Sequence, residues 1–159
     1  MLDTNEKRPR RYTDEMSARA AEKLADMLIE HNSMNRAKDT IVSDLLSCRI
    51  YWRDNGYQLA KALERDRFWD PDPEMVETLD HIDTLLSSEL DDAVKDWVLR
   101  LKPTPQFAIG DMVAFDCPHE GERKGPVYSI YPERACYVVD DRGTHNGGRV
   151  VAYEDVRAA

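Results

Sequence analysis

Two prolines separated by one threonine, Pro103 and Pro105, constrain the fold of this chain more than any other feature of its sequence. Proline does not continue a helix and biases the residue before it toward extended backbone, so a helix should end before residues 103–106. Before this segment apolar residues recur at helical spacing, and after it short β-rich runs alternate with turn residues. The pattern predicts an α+β chain with a flexible basic arm at 1–12, a helical bundle at 13–102, a linker at 103–106 and a β-rich part at 107–159.

Three segments of the helical part carry apolar residues on one helical face, which predicts helices at 14–31, 37–52 and 57–67. Thr13 is expected to cap the first of them. Asn55-Gly56 is expected to end the second as a left-handed cap, because asparagine and glycine adopt that conformation most readily. The three helices would bury one common apolar core.

A fourth helix is expected to begin at Asp72-Pro73, where the acid can cap the first turn and proline fits the first helical position. Seven apolar residues then fall on one narrow arc of a helical wheel: Met75, Leu79, Ile82, Leu86, Leu90, Ala93 and Trp97. Because the register is kept across Ser87 and Ser88, we expect one continuous helix over 73–101 rather than two.

The net charge of −9 comes from one segment, residues 70–96, which holds ten acidic residues and one lysine. A helix face that is only solvated usually alternates charges four residues apart, and this segment forgoes those attractive pairs. Such a surface attracts a basic protein and repels free nucleic acid, although solubility alone is the competing interpretation. The residues predicted to bind a partner are Glu77, Asp80, Asp91 and Asp92, together with Tyr128 and Tyr131 of the β-rich part.

The β-rich part carries a characteristic order of glycines and strands. Gly110-Asp111 precedes the first apolar run, Gly125-Pro126-Val127 begins the second, and residues 150–156 form a closing run. This order resembles the SH3-like barrels of the KOW and Tudor-like type, and the resemblance implies a small barrel. Such barrels bind RNA, DNA, methylated peptides, ribosomes or other proteins, so the fold alone implies no particular ligand.

The aromatic residues of the β-rich part and the cations of the basic arm allow a second function. Five aromatic residues of the β-rich part could stack on bases or simply pack a core: Phe115, Tyr128, Tyr131, Tyr137 and Tyr153. Four cations of the arm could contact phosphates or only solubilise the chain: Lys7, Arg8, Arg10 and Arg11. The alternative prediction is a nucleic-acid-associated accessory factor that uses the barrel and this arm.

The sequence contains no GxSxG elbow, P-loop, HExxH helix or dinucleotide-binding glycine pattern, so we expect no catalytic residues and no cofactor. Four residues have the chemistry of zinc ligands: Cys117, His119, Cys136 and His145. Their spacing matches no common zinc pattern, and we expect no metal site. The three cysteines form no CxxC pair and no segment is apolar enough to span a membrane, which indicates a cytoplasmic protein.

These observations favour a non-catalytic, acidic interaction protein. It would dock on a basic protein or complex, such as one that holds nucleic acid, and inhibit or modulate it. Small acidic proteins with a helical part of this kind are similar in style to accessory proteins of phages and plasmids, including inhibitors of CRISPR systems. That likeness implies an anti-defence inhibitor carried by a mobile element.

Overall fold

The computed structural model of this chain describes residues 6–31, 34–143 and 148–159. The described residues form two compact units, each with its own apolar core. The helical unit comprises residues from 9 to 93, and the sheet unit comprises residues 6–8 and those from 94 onward. The α+β class predicted from the sequence is confirmed.

Five α-helices of the described chain precede the strands: α1 (Asp14–His31), α2 (Lys38–Ser47), α3 (Gly56–Arg67), α4 (Pro73–Leu79) and α5 (His81–Leu101). The prediction of a helix at 14–31 is confirmed, and the prediction at 57–67 differs from α3 by one residue. Thr13 caps α1 as expected, because its Oγ1 accepts the Met16 N–H at 3.2 Å.

The second helix ends earlier than the sequence predicts. α2 stops at Ser47, and a 3-10 turn at Arg49–Tyr51 follows it. Asn55 is not a left-handed C-cap, since its backbone is extended and its Oδ1 accepts the Gln58 N–H at 2.9 Å. The prediction is wrong because a short amide side chain serves an N-cap as well as a left-handed turn, and here it begins α3.

The continuous helix predicted over 73–101 is also wrong, because the helix is broken at Asp80. α4 begins where expected, with the Asp72 side chain as its N-cap. At the break, Asp80 Oδ1 accepts the N–H of Gly56, the first residue of α3. A Cβ built on Gly56 would lie 2.7 Å from the Asp80 backbone nitrogen and closer still to the Val76 carbonyl oxygen. The start of α3 thus packs against the α4–α5 junction, a tertiary contact that helical periodicity does not reveal.

The core of the helical unit lies between the apolar faces of α1 to α4 and the part of α5 before residue 94. Its fully buried leucine and isoleucine side chains are Leu24, Leu28, Ile41, Leu45, Leu59, Leu63 and Leu79. Buried hydrogen bonds in this core run from Trp69 Nε1 to Asp44 Oδ2 at 2.9 Å and from Trp52 Nε1 to the Leu45 carbonyl at 3.1 Å. The helical faces that periodicity selects are therefore the buried ones.

The strands of the sheet unit are β1 (Met112–Cys117), β2 (Gly121–Tyr131), β3 (Cys136–Val139), β4 (Arg149–Ala152) and β5 (Val156–Ala158). They form one antiparallel sheet in the order β4-β3-β2-β1-β5. β2 pairs with both β1 and β3 and carries an irregularity between Val127 and Ser129. Among the described strands, β4 and β5 are the two edges and do not pair, so the sheet is not closed into a barrel.

The sheet unit includes the end of α5 in its core. Trp97 is 7% exposed and belongs to the same buried cluster as Val113, Phe115 and Tyr137. The packing therefore changes between residues 93 and 94, inside α5, whereas the segment predicted as the linker lies within the sheet unit.

Candidate functional site

The four carboxylates predicted to bind a partner lie on α4, at the helix break and on α5 of the helical unit. Glu77, Asp80 and Asp92 are exposed, and Asp91 is half-buried. Asp80 and Asp91 lie about 16 Å apart along the helix axis at about 1.5 Å per residue. The structure spreads these carboxylates along two helices and does not gather them at one point.

Asp80 has a structural role in addition to its charge. Its Oδ1 accepts the N–H of Gly56 and so links the start of α3 to the α4–α5 junction. A lysine at position 80 would remove this acceptor and leave a partly buried N–H without its partner. Substitutions that test docking should therefore leave Asp80 unchanged.

Glu89 is an acid of residues 70–96 that does not contribute to the outer surface. It is 5% exposed, and its two oxygens accept hydrogen bonds from Arg19 Nε at 2.6 Å and Lys23 Nζ at 2.5 Å. The hydrogen bond from Lys23, followed by that from Arg19, holds the pKa of the Glu89 carboxyl below its ordinary value, against the opposing effect of burial. Glu89 therefore joins α1 to α5 inside the helical unit.

Glu89→Gln should lower the free energy of unfolding of the helical unit by about 1 kcal/mol at neutral pH. The effect is this small because the side chains of Arg19 and Lys23 are half exposed, and solvent screens their attraction for the carboxylate. Because the folded-state pKa is depressed, the carboxylate's contribution is full above the unfolded-state pKa and is lost as the pH falls through the folded-state pKa. The difference between the two proteins should therefore shrink as denaturation is repeated from neutral to strongly acidic pH. A difference that stays constant with pH would contradict a charged Glu89 in the folded protein.

The two predicted tyrosines lie on β2 of the sheet unit. Tyr128 and Tyr131 are 56% and 42% exposed, so their rings are available on the surface. The other three aromatic residues predicted to stack on bases or pack a core, Phe115, Tyr137 and Tyr153, are buried in the sheet unit. Their use is core packing, with 4.5 Å between the ring centroids of Tyr137 and Tyr153.

Residues 6–8 of the predicted arm belong to the sheet unit. The Glu6 carboxylate accepts two hydrogen bonds from Arg100, each 2.7 Å long, and the Glu6 carbonyl accepts Trp97 Nε1–H at 3.1 Å. Arg8 donates to the Ala135 carbonyl at 3.1 Å. The Arg8 guanidinium therefore has protein partners, whereas Lys7 is exposed.

Arg10 and Arg11, the other two predicted phosphate contacts, line a cavity of about 740 Å³ in the helical unit. Arg49 and Arg53, which flank the 3-10 turn after α2, line the same cavity. We call this cavity the arginine pocket. Four arginines thus line one pocket, together with Asp14, on a protein whose net charge is −9.

Contacts within the arginine pocket hold several of its side chains in place. Arg49 Nη1 donates to Asp14 Oδ1 at 2.5 Å. The Arg53 guanidinium lies over the Tyr12 ring, 5.5 Å from its centroid, and the Tyr12 hydroxyl lies 3.4 Å from Ser87 Oγ. An ion pair and a cation–π contact thus join Arg49 and Arg53 to other residues that line the pocket.

Sequence reasoning did not identify Arg49 and Arg53 as site residues. Their signal is local, since two arginines four residues apart flank the apolar run Ile50-Tyr51-Trp52. Ile50 is 78% exposed, which is unusual for an isoleucine beside a buried tryptophan. A pair of cations around an apolar run would have suggested a binding surface.

The four residues considered for zinc are not brought into one described site. Cys117 receives a hydrogen bond from Arg149, and Cys136 receives one from Arg8. His119 lies in the turn between β1 and β2, and His145 falls outside the described residues. Within the described ranges, no three histidine, cysteine or acidic side chains are grouped so that they could hold a metal ion.

Comparison with protein-family models, with curated proteins and with solved structures finds no match for this chain. The function therefore has to be argued from the acidic helices, the exposed tyrosines and the arginine pocket. In the part of the chain that the structure describes, none of the helices combines the length and the apolar character needed to cross a membrane.

Proposed function

We propose that this chain is a non-catalytic interaction protein whose acidic helices α4 and α5 dock on a basic surface of a protein partner and inhibit or modulate it. The observation that carries the proposal is the exposure of Glu77 and Asp92 within a segment that holds ten acids and one lysine. A partner that normally binds nucleic acid offers the complementary basic surface. The similarity in style to phage and plasmid accessory proteins makes a host defence complex one such partner.

The position of Glu89 supports this proposal by contrast. Glu89 serves the fold, because it is buried and meets Arg19 and Lys23 of the same unit. Glu77 and Asp92 are exposed on α4 and α5. Outward carboxylates attract a basic surface over about 10 Å at moderate ionic strength, which favours fast and specific encounter.

We infer further that the sheet unit is an SH3-like barrel relative of the KOW and Tudor-like type, and that the helical unit is a bundle. Three features of the sheet unit support the first inference: the strand order, the short 3-10 turn Tyr153–Asp155, and the final strand β5 that returns to β1. Gly125 lies where a Cβ would stand 2.7 Å from the Asp140 carbonyl carbon, which gives the second strand a physical need for glycine.

A second candidate function is a nucleic-acid-associated accessory factor. The observation that favours it is the position of Arg10 and Arg11 beside Arg49 and Arg53 in the arginine pocket. Phosphate contacts from clustered arginines supply most of the affinity of such factors and make that affinity fall with salt. The exposed rings of Tyr128 and Tyr131 on the sheet unit are suited to stacking on bases.

Reversing two outward carboxylates, Glu77→Lys with Asp92→Lys, should weaken binding to a basic partner at least about tenfold, because each change places like charges at the contact. The measurement is a titration of the partner that co-purifies with the unmodified chain, isolated and quantified on its own. The matched control carries the same change in net charge elsewhere on the helical unit, Glu30→Lys with Glu64→Lys, both exposed. Asp80 is left unchanged to preserve the helix junction.

Two outcomes of this titration would contradict the proposal. Equal loss of affinity in the test and control proteins would show that only net charge matters. Tight binding of a DNA or RNA duplex by the unmodified chain, lost in Arg10→Glu with Arg11→Glu, would favour the second candidate. Substitution is preferable to deletion of the arm, because Glu6 and Arg8 make contacts in the sheet unit.

A further inference from the structure

The arginine pocket has the charge expected of a site for phosphate. Guanidinium groups bind phosphate oxygens through paired N–H donors, and the four arginines that line this pocket outnumber its one acidic lining residue, Asp14, which suits a ligand with several negative charges. We propose that this pocket binds a small phosphorylated ligand of the nucleotide class. The inference is independent of the acidic docking surface, because Glu77 and Asp92 do not line the pocket.

The side chains that would hold the phosphates are positioned before a ligand arrives. Arg53 is held over the Tyr12 ring, and Arg49 is held by Asp14. A guanidinium has five N–H donors, and the hydrogen bond to Asp14 uses one of those on Arg49. Ordering the cations in advance reduces the entropy that binding has to offset.

The pocket also has an apolar side, which a phosphate group alone would not need. Leu86 and Leu90 line it together with the buried Trp52, and Ile50 stands beside them with its side chain mostly exposed. An apolar wall next to guanidinium groups suits a ligand that joins a flat, weakly polar body to a highly charged group. A nucleotide has this composition, with its base as the flat body and its phosphates as the charged group.

The size and surroundings of the pocket favour a small ligand over a long polyanion. Its volume of about 740 Å³ lies within the usual range for small-molecule sites, roughly 300 to 1,000 Å³. The exposed acids of residues 70–96 repel an extended nucleic-acid strand, whereas a compact ligand interacts mainly with the charges nearest to it.

The test is a calorimetric titration of the full chain at low salt with ATP as the probe, alongside inorganic tripolyphosphate and adenosine. ATP should bind with saturation, and each of the other two compounds should bind at least about tenfold more weakly, because each lacks one half of the interaction. Ile50→Ser should weaken ATP binding and leave tripolyphosphate binding unchanged. A short single-stranded oligonucleotide serves as the fourth probe.

Arg11→Ala with Arg53→Ala should raise the Kd for ATP at least about tenfold through the loss of charge-assisted hydrogen bonds. The matched control, Lys61→Ala with Arg65→Ala, removes the same charge from exposed positions of α3 outside the pocket and should change the Kd less than about twofold. Circular dichroism of both proteins establishes that the helices are retained.

Three results would overturn the inference. ATP could show no saturable heat up to millimolar concentration, or tripolyphosphate could bind as tightly as ATP. The oligonucleotide could bind more tightly than ATP and lose that affinity in Arg11→Ala with Arg53→Ala, which would assign the pocket to nucleic acid. The partner titration repeated with the same variant separates this failure from failure of the docking proposal, because Glu77 and Asp92 are intact in it.

Discussion

Trp97→Ala is expected to lower the free energy of unfolding of the sheet unit by about 3 to 5 kcal/mol, the usual cost of truncating a buried aromatic side chain. Trp97 is 7% exposed among apolar side chains of β1 and β3, and its removal would leave a cavity in a closely packed core. The variant also loses the hydrogen bond from Nε1 to the Glu6 carbonyl. Hydrogen exchange of the β1 and β3 amides measures the effect in the unit concerned.

Two other substitutions on α5 serve as controls for Trp97→Ala. Trp97→Phe keeps most of the apolar volume and loses only the N–H donor, so it should cost about 1 kcal/mol plus a smaller packing loss. Leu99→Ala removes a side chain that is 71% exposed and should change stability by less than about 0.5 kcal/mol. A loss below about 1 kcal/mol in Trp97→Ala would mean that α5 does not end in the core of the sheet unit.

The helices could be predicted where one local signal fixes each end. Thr13 and Asp72 cap helices because a side-chain oxygen reaches a backbone N–H only a few residues away. The end of α4 coincides with the contact between Asp80 and Gly56, which are far apart in the sequence, and no local pattern predicts this contact. Asn55 illustrates the ambiguity, since the same residue type suits both ends of a helix.

The apolar arc from Met75 to Trp97 correctly predicted which helical face is buried. The prediction of one continuous helix along that arc was wrong. Met75 and Leu86 lie in the core of the helical unit, whereas Trp97 lies in the core of the sheet unit. Helical periodicity reports which face is buried and carries no information about what covers it. The prolines predict the linker at 103–106 because a helix ends before them, whereas the packing changes earlier in the chain, between residues 93 and 94.

The candidate sites were only partly visible in the sequence. Arg10 and Arg11 were predicted as cations of an arm, but their grouping with Arg49 and Arg53 depends on residues almost forty positions away. Glu89 was counted with the acidic segment, because nothing in its sequence neighbourhood distinguishes a buried carboxylate from an exposed one. Charge along a sequence predicts a surface, and only the tertiary contacts determine which charges belong to it.

Gly56→Ala is expected to destabilise the helical unit by about 3 kcal/mol or more, at or above the upper end of the usual cost of overpacking. Helix propensity alone predicts the opposite sign, since replacing glycine by alanine in a helix is favourable by up to about 1 kcal/mol. The added Cβ would stand 2.7 Å from the Asp80 nitrogen and closer still to the Val76 carbonyl oxygen, and these backbone atoms cannot rotate away as a side chain can.

The sign of the change in Gly56→Ala therefore decides whether α3 packs against the α4–α5 junction as closely as the structure shows. Denaturation followed by helical circular dichroism measures it, with Gln58→Ala at an exposed position of the same turn as the control for propensity. Asp80→Ala should lose less than Gly56→Ala, because it removes one acceptor for the Gly56 N–H and introduces no overlap. A stabilised Gly56→Ala protein would mean that the junction accommodates a methyl group. The break at Asp80 would then need a cause other than this contact.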